Sequence, residues 1–165
     1  MADQLSPVIG QPSEAPTTPP KRRVLWKWSL LVTGILAVIL LWRCGFGLLE
    51  GRRLSETGVQ QFHALLNSGD YERIYDQAGD AFRNAGTRQD LIRFLQAVHT
   101  KLGIAGSYSL NNMNVTATPT GTYIVAVYST TFTGGVATET FTWLRKGNGV
   151  VLNGYHIQSM KLITD

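Results

Sequence analysis

A glutamate and a histidine are the two residues of this sequence whose types and spacing suggest chemistry. They are Glu139 and His156, near the two ends of the stretch ETFTWLRKGNGVVLNGYHI. The stretch alternates apolar and polar residues on either side of KGNG, which is typical of two antiparallel strands joined by a short loop. A four-residue loop would place Glu139 opposite His156. In apolar surroundings such a carboxylate is a candidate base or ligand anchor, because burial raises its pKa.

The same pair also has a purely structural interpretation. A carboxylate on an apolar face needs hydrogen-bonding partners, because its desolvation costs several kcal/mol. Our pairing gives Glu139 two polar neighbours, His156 and Thr130, and the acid and the imidazole could bond each other and only fix the strand register. We favour this interpretation, since perturbed groups in a fold are only candidates for chemistry.

Other catalytic or cofactor motifs are missing from the sequence. It contains no Gly-x-Ser-x-Gly nucleophile motif, no phosphate-binding loop and no nucleotide fingerprint. His63 and His99 lie on predicted helices at positions that can face solvent, and neither has the spacing of a metal ligand. We therefore predict no metal and no cofactor.

Four strands position the candidate pair. β-Branched residues at a period of two predict strands over Tyr108–Thr118, Thr122–Thr133, Val136–Lys146 and Val150–Leu162. The breaks between them are short, so the strands should form an antiparallel meander.

The turn lengths predict which side chains share the inner face of this sheet. If Gly134 and Gly135 form a two-residue turn, Thr130 faces Glu139 and Tyr128 faces Phe141. Side chains alternate along a strand, so one face collects the large apolar residues. That inner face carries Ile124, Tyr128, Phe132, Phe141, Trp143 and Leu152, and the candidate pocket within it consists of Glu139, His156, Thr130, Tyr128, Phe141 and Trp143.

The opposite face of the sheet is rich in threonine. Such a surface suits a half-solvated sheet or a homodimer formed sheet to sheet. Its predicted members are Val125, Val127, Thr131, Thr138, Thr140, Thr142, Tyr155 and Ile157.

Three helices precede the strands. Apolar residues at helical spacing run from Leu54 to Leu66 and end at Gly69, a predicted C-terminal cap. Asp70 can cap a second, shorter helix, and Thr87 with Asp90 forms a variant of the capping box for a third. Helices followed by strands predict an α+β fold with the helices covering one face of the sheet.

A long apolar run near the N-terminus predicts one membrane-spanning helix over residues 24–43. The run VLWKWSLLVTGILAVILLW is about 19 residues long, which is about enough to cross a bilayer. Tryptophans mark both of its ends, as in an interfacial belt. The preceding residues, 1–23, are rich in Pro, Ser and Thr and are predicted to be disordered.

The basic residues predict the orientation of this single-pass protein. Seven of the 15 Lys and Arg residues lie before residue 54, and the KRR cluster precedes the run. The positive-inside rule then places the N-terminus in the cytoplasm and the C-terminal domain, residues 51–165, outside the cytoplasmic membrane. Beyond residue 54 acids and bases nearly balance, which argues against a nucleic-acid-binding face.

The single cysteine of the chain, Cys44, follows the apolar run directly. One cysteine excludes an internal disulfide. Its position is similar to that of a lipidated cysteine, but Trp42 and Arg43 stand where small residues are expected. We therefore favour an interfacial free thiol over a lipid anchor.

Several segments of the sequence resemble known proteins. A helical layer on a four-stranded meander resembles the cone-shaped, cystatin-like fold shared by nuclear transport factor 2 and ketosteroid isomerase. More narrowly, five segments resemble a bacterial family of uncharacterised domains with this fold, often found behind a signal or membrane anchor: LLNSGDYERIYDQAGDAFRN, FLQAVHTKLG, GTYIVAVYSTTF, ETFTWLRKGNG and GYHI. Such relatives often carry a Trp where this chain has Val150 or Val151. The resemblance implies a fold and hardly any chemistry.

Three functions are consistent with these features. The expected one is a membrane-anchored envelope protein whose extracytoplasmic domain binds a small apolar ligand or a partner protein. The first alternative is an isomerase- or hydrolase-type enzyme that uses Glu139 with His156. The second is a structural assembly module of a membrane complex, in which Tyr128, Phe141 and Trp143 fill the pocket.

Overall fold

A computed structural model of the chain describes the backbone of residues 22–163 and the side chains of residues 32–35 and 47–163. The chain divides into two compact units, residues 1–41 and 42–165. The tail predicted over residues 1–23 falls almost wholly outside the described residues, as do most side chains of the predicted membrane segment, 24–43. Among the described residues, no helix has both the length and the apolar character needed to cross a membrane.

The described residues form five helices. Their bounds are α1 Arg22–Asn67, α2 Tyr71–Gln77, α3 Asp80–Arg83, α4 Arg88–Leu102 and α5 Met160–Ile163. Both predicted N-terminal caps are confirmed, because the side chain of Asp70 accepts from the amide of Arg73 and that of Thr87 accepts from the amide of Asp90. The short helices α3 and α5 were not predicted from the sequence.

Four strands follow the helices and form one antiparallel sheet. They are β1 Ala105–Thr118, β2 Gly121–Phe132, β3 Gly135–Lys146 and β4 Gly149–Gln158, in the order β1-β2-β3-β4. The predicted α+β class and the four-stranded meander are therefore confirmed. The last strand ends at Gln158, earlier than predicted, and the chain then enters α5.

The inner face of the sheet is buried, as its apolar content predicts. Its core residues pack against side chains from α1, α2, α3 and α4, and together they form one cluster. All six large residues assigned to this face are buried in the structure: Ile124, Tyr128, Phe132, Phe141, Trp143 and Leu152.

The turn between β2 and β3 differs from the prediction. Phe132 pairs with Gly135, so Thr133 and Gly134 form the turn instead of Gly134 and Gly135. The turn is held against the end of α4, because the amide of Gly134 donates to the carbonyl of Leu102 at 2.7 Å. A methyl group at position 134 would lie only 2.9 Å from that carbonyl oxygen, so glycine is required there.

This correction moves the pairing by two residues and therefore keeps every side chain on its predicted face. Glu139 lies opposite Tyr128 rather than Thr130, and Phe141 lies opposite Ala126 rather than Tyr128.

The pairing of β3 with β4 contains an irregularity that reverses part of a face. Trp143 pairs with Leu152 as predicted, but Thr142 pairs with Gly154, so one extra residue of β4 is inserted between the two pairs. From this point on, the side chains of β4 exchange faces. His156 is exposed, whereas the buried Ile157 lies on the inner side, so the prediction that placed His156 inside and Tyr155 and Ile157 outside was wrong.

A glycine of α1 allows this helix to approach the sheet closely. A methyl group at Gly58 would lie 3.0 Å from the Cη2 atom of Trp143, closer than a methyl group normally packs. Gly47, on the same helix, has no atom within 4 Å of the corresponding position. The sheet therefore packs against Gly58 but not against Gly47.

We predict that Gly58→Ala and Gly47→Ala have opposite effects on thermal stability. Alanine stabilises a helix by about 0.5–1 kcal/mol relative to glycine, whereas overpacking costs about 1–3 kcal/mol. Gly58→Ala should therefore lower the melting temperature measured by circular dichroism. Gly47→Ala should leave the melting temperature unchanged or raise it. A rise in both variants would contradict the close approach of α1 to Trp143.

Candidate functional site

Glu139 lies at the centre of the inner face and is not exposed to solvent at all. Its Oε2 atom accepts a hydrogen bond from Nε2 of His63 at 2.8 Å, and its Oε1 atom accepts one from the hydroxyl of Tyr155 at 2.7 Å. We call Glu139, His63 and Tyr155 the carboxylate cluster. Each oxygen of the buried carboxylate therefore has one donor, which is what burial of a carboxylate requires.

Three different elements supply the members of the carboxylate cluster. Glu139 comes from β3 and Tyr155 from β4, and His63 comes from α1. His63 lies four residues after Val59 and three before Leu66, both buried, so the helix periodicity turns the imidazole toward the sheet. Tyr155 points inward because of the extra residue in β4. The cluster thus joins α1 to both strands of the β3–β4 hairpin.

Aromatic rings enclose the carboxylate cluster. The ring of Phe62 lies with its centre 4.7 Å from that of Tyr155 and 5.2 Å from that of Phe141. Phe141 in turn stacks on Trp143, with ring centres 5.2 Å apart and an angle of 7° between the planes. The surroundings of Glu139 are therefore apolar and filled, without a channel to solvent at its carboxylate.

The apolar surroundings also affect the ionisation of Tyr155. Burial raises the pKa of its hydroxyl well above the usual value, and the adjacent carboxylate of Glu139 raises this pKa further, because it would repel a phenolate and accepts a hydrogen bond from the neutral phenol. Tyr155 therefore stays a proton donor to Glu139 at neutral pH.

Two residues predicted for the site lie apart from Glu139. His156 is exposed on the outer face of the sheet, opposite Thr140. Thr130 is buried on the inner face opposite Ala137, and its hydroxyl has no hydrogen-bond partner among the described residues. The predicted pairing of Glu139 with His156 and Thr130 is therefore wrong.

The remaining predicted site residues are buried and surround the cluster. Phe141 and Trp143 form the stacked pair described above. Tyr128 has its hydroxyl 2.9 Å from Oγ of Ser55 on α1, and neither residue is exposed. These three aromatic residues occupy the inner face where the sequence predicts a candidate pocket.

His63 and Tyr155 are the two members of the carboxylate cluster that were not predicted from the sequence. His63 was assigned to a solvent-facing position, although it continues the buried stripe of α1. Tyr155 was predicted to lie on the outer face, because the extra residue in β4 cannot be recognised from the alternation of apolar and polar residues. The signal available for both was the buried carboxylate itself, because each of its oxygens needs a hydrogen-bond donor.

The described part of the chain lacks the ligand groups that metal sites require. No group of three or more His, Cys, Asp or Glu side chains comes together there in a way that could hold a metal ion.

We predict that Tyr155→Phe destabilises the protein and that His156→Gln does not. The first change removes one donor from a buried carboxylate, which typically costs about 1–3 kcal/mol. The second alters an exposed side chain, for which changes stay within about 0.5 kcal/mol. Denaturant unfolding followed by tryptophan fluorescence measures both. Equal stability of the two variants would contradict the cluster geometry.

Alkaline pH should weaken the fold through Tyr155. Because its folded pKa is raised, unfolded chains lose this proton at a pH where folded chains keep it, so stability is complete below about pH 10 and falls above it, by up to about 1.4 kcal/mol per pH unit. Tyr155→Phe should show a shallower fall between pH 10 and 11 than the wild type in the same unfolding measurement. An unchanged slope would show that Tyr155 is not the group responsible.

Comparison with known proteins gives a family for the chain. No curated protein matches it in sequence. Residues 58–155 match the family described as "Protein of unknown function (DUF4019)", and this match covers more than half of the chain. His63, Glu139 and Tyr155 all lie inside the matched region. The chain belongs to this family of domains of unknown function.

Proposed function

We propose that this chain is a non-enzymatic, membrane-anchored envelope protein whose α+β domain binds a partner protein through the open outer face of its sheet. A second copy of the chain is the partner that the face suits best. The proposal rests on one observation. The central rows of side chains on the outer face contain no Asp, Glu, Lys or Arg.

Four rows of side chains cross the centre of the outer face. Each row takes one residue from every strand, as the observed pairing shows, and no row contains Asp, Glu, Lys or Arg. The rows are Ser109, Ser129, Thr138 and Gln158; Asn112, Val127, Thr140 and His156; Asn114, Val125, Thr142 and Gly154; Thr116, Tyr123, Leu144 and Val151.

A face without charge can meet a copy of itself. A two-fold interface places the same patch on both sides, so any charge at its centre is set near its own equivalent. The centres of protein interfaces are depleted in charged residues in general. The outer face satisfies both conditions, whereas a surface meant only to be solvated normally carries charges of both signs.

The outer face is also large enough for a specific interface. Four strands at a spacing of about 4.8 Å and about ten residues at about 3.4 Å each cover roughly 600 Å² in projection. A standard interface buries about 800 Å² per partner. The pleated surface and its edges supply more area than the projection, so the two sizes are comparable.

The enzyme alternative has weaker support. A base or ligand anchor must lie within reach of a substrate, and the carboxylate of Glu139 is fully buried with both oxygens bonded. The second group expected to assist it, His156, is on the other face of the sheet. The carboxylate cluster is better suited to holding α1 on the sheet.

The membrane anchor and the location of the domain belong to the same proposal. The apolar run of residues 24–43 and its basic flank favour an N-terminus in the cytoplasm and a domain outside the cytoplasmic membrane. The relation to the cone-shaped fold of nuclear transport factor 2 is likewise proposed. It draws on helices that pack on one face of a four-stranded meander and leave the other face open.

A lysine at the centre of the outer face should disrupt self-association. Thr140 lies partly exposed in the second row, between Val127 and His156. Sedimentation of the full chain in detergent should give a protein mass of twice 18.2 kDa for the wild type and of one chain for Thr140→Lys. Like charges brought together at an interface cost several kcal/mol, so association should weaken by at least about 100-fold.

The matched control is Thr100→Lys, which adds the same charge at an exposed position of α4 and should leave the dimer intact. A dimer that tolerates Thr140→Lys would place the interface elsewhere. A wild type that stays monomeric at about 100 μM would exclude the second copy as partner and leave a different protein as the occupant to be sought.

A further inference from the structure

The most exposed apolar side chains of the domain lie together at one end of the sheet. Val136 is 61% exposed, Met160 75% and Ile163 80%, more than any other large apolar side chain described after α1. They line one groove together with Thr138 and Gln158 of the outer face. We call Val136, Met160 and Ile163 the end patch. Exposed apolar side chains grouped in this way mark an interaction site, and the end patch adjoins the face proposed for self-association.

The outward side chains of β3 follow a pattern that reads the same in both directions. An apolar residue stands at each end and three threonines stand between them: Val136, Thr138, Thr140, Thr142 and Leu144. The next outward residue beyond Leu144 is the exposed Lys146, and at the other end the strand begins at Gly135. The uncharged run is therefore centred on Thr140.

A two-fold axis through Thr140, at right angles to the strands, makes use of this pattern. Such an axis places each residue of β3 against the residue of the second copy that is equally far from Thr140, and every contact occurs twice. Val136 then lies against Leu144 of the second copy, and the threonines lie against one another. Apolar side chains meet apolar side chains and hydroxyls meet hydroxyls, while Lys146 lies beyond the overlap.

The neighbouring strand supports the same axis. Val151 of β4 pairs with Leu144 in the fourth row, and Met160 begins α5 shortly after the other end of β4. The axis brings the end that carries Met160 onto the end that carries Val151 in the second copy. An axis parallel to the strands would instead set Val136 against Thr131, which is its neighbour on β2, and would leave the end patch against a polar side chain.

We propose that the end patch of one copy docks on Leu144 and Val151 of a second copy, about a two-fold axis that passes through Thr140 at right angles to the strands. The inference rests on the self-association proposed above, and it adds the orientation of the two copies and the apolar contacts between them. Symmetry forms these contacts twice, at both ends of a face that is otherwise mainly polar and uncharged.

Cysteine cross-linking tests this orientation in the full chain in detergent. Cys44→Ser gives a background without thiols, and Val136→Cys and Leu144→Cys are added to it together or singly. Within one chain the two positions are eight residues apart, which is about 27 Å along a strand, whereas sheets packed face to face lie about 10 Å apart. A short bismaleimide spans only the second distance.

The double variant should form cross-linked dimer on a denaturing gel. Its yield should exceed that of either single variant at least about tenfold, because identical positions on the two copies also lie about 27 Å apart across this axis. Thr100→Cys, at an exposed position of α4, controls for random encounters and should form no cross-linked dimer.

Sedimentation of the same variants separates this proposal from the one on which it rests. A dimeric double variant that is not cross-linked would overturn the orientation and leave the outer-face dimer intact. Single variants cross-linked as strongly as the double variant would do the same. A monomeric wild type would overturn both proposals. If the double variant no longer dimerises, Thr138→Cys with Thr142→Cys replaces it under the same criteria, because these two positions are also equally far from Thr140.

Discussion

The buried carboxylate of Glu139 is the constraint on which the rest of this domain depends. An ionised side chain without contact to solvent is tolerated only if each oxygen finds a donor. Here one donor comes from α1, which packs on the inner face, and the other from the neighbouring strand β4. Both elements are therefore fixed to β3. Removing either donor leaves an unsatisfied acceptor in an apolar interior. The cluster therefore ties α1 and β4 to β3 through one hydrogen bond each.

Satisfying the carboxylate also determines where function can reside. The inner face is occupied by the aromatic rings that enclose Glu139, and its carboxylate has no contact with solvent. What remains accessible is the outer face, whose central rows contain no charged side chains. In the function proposed above, the interior stabilises the fold and recognition is left to the outer face.

Much of the fold could be predicted from the sequence, because local physics decides it. The caps at Asp70 and Thr87, the change of period after α4 and the apolar alternation of β2 and β3 all appear as expected. The candidate site was predicted only in part. Glu139 was found, but both of its partners were missed, since His63 was placed on the solvent side of α1 and the extra residue of β4, which turns Tyr155 inward, is set by packing.

The choice of register in β4 shows which physical effect decides between two chemically reasonable sites. Without the extra residue, His156 would reach Glu139 and supply a donor, as the sequence suggested. Tyr155 and Ile157 would then lie on the open face. The observed register instead buries Ile157 and most of Tyr155 and exposes His156. Burial of one large apolar side chain is worth about 1.5–3 kcal/mol, whereas either register gives Glu139 a donor from β4. Hydrophobic burial therefore selects the register, and the hydrogen bond to Glu139 follows from it.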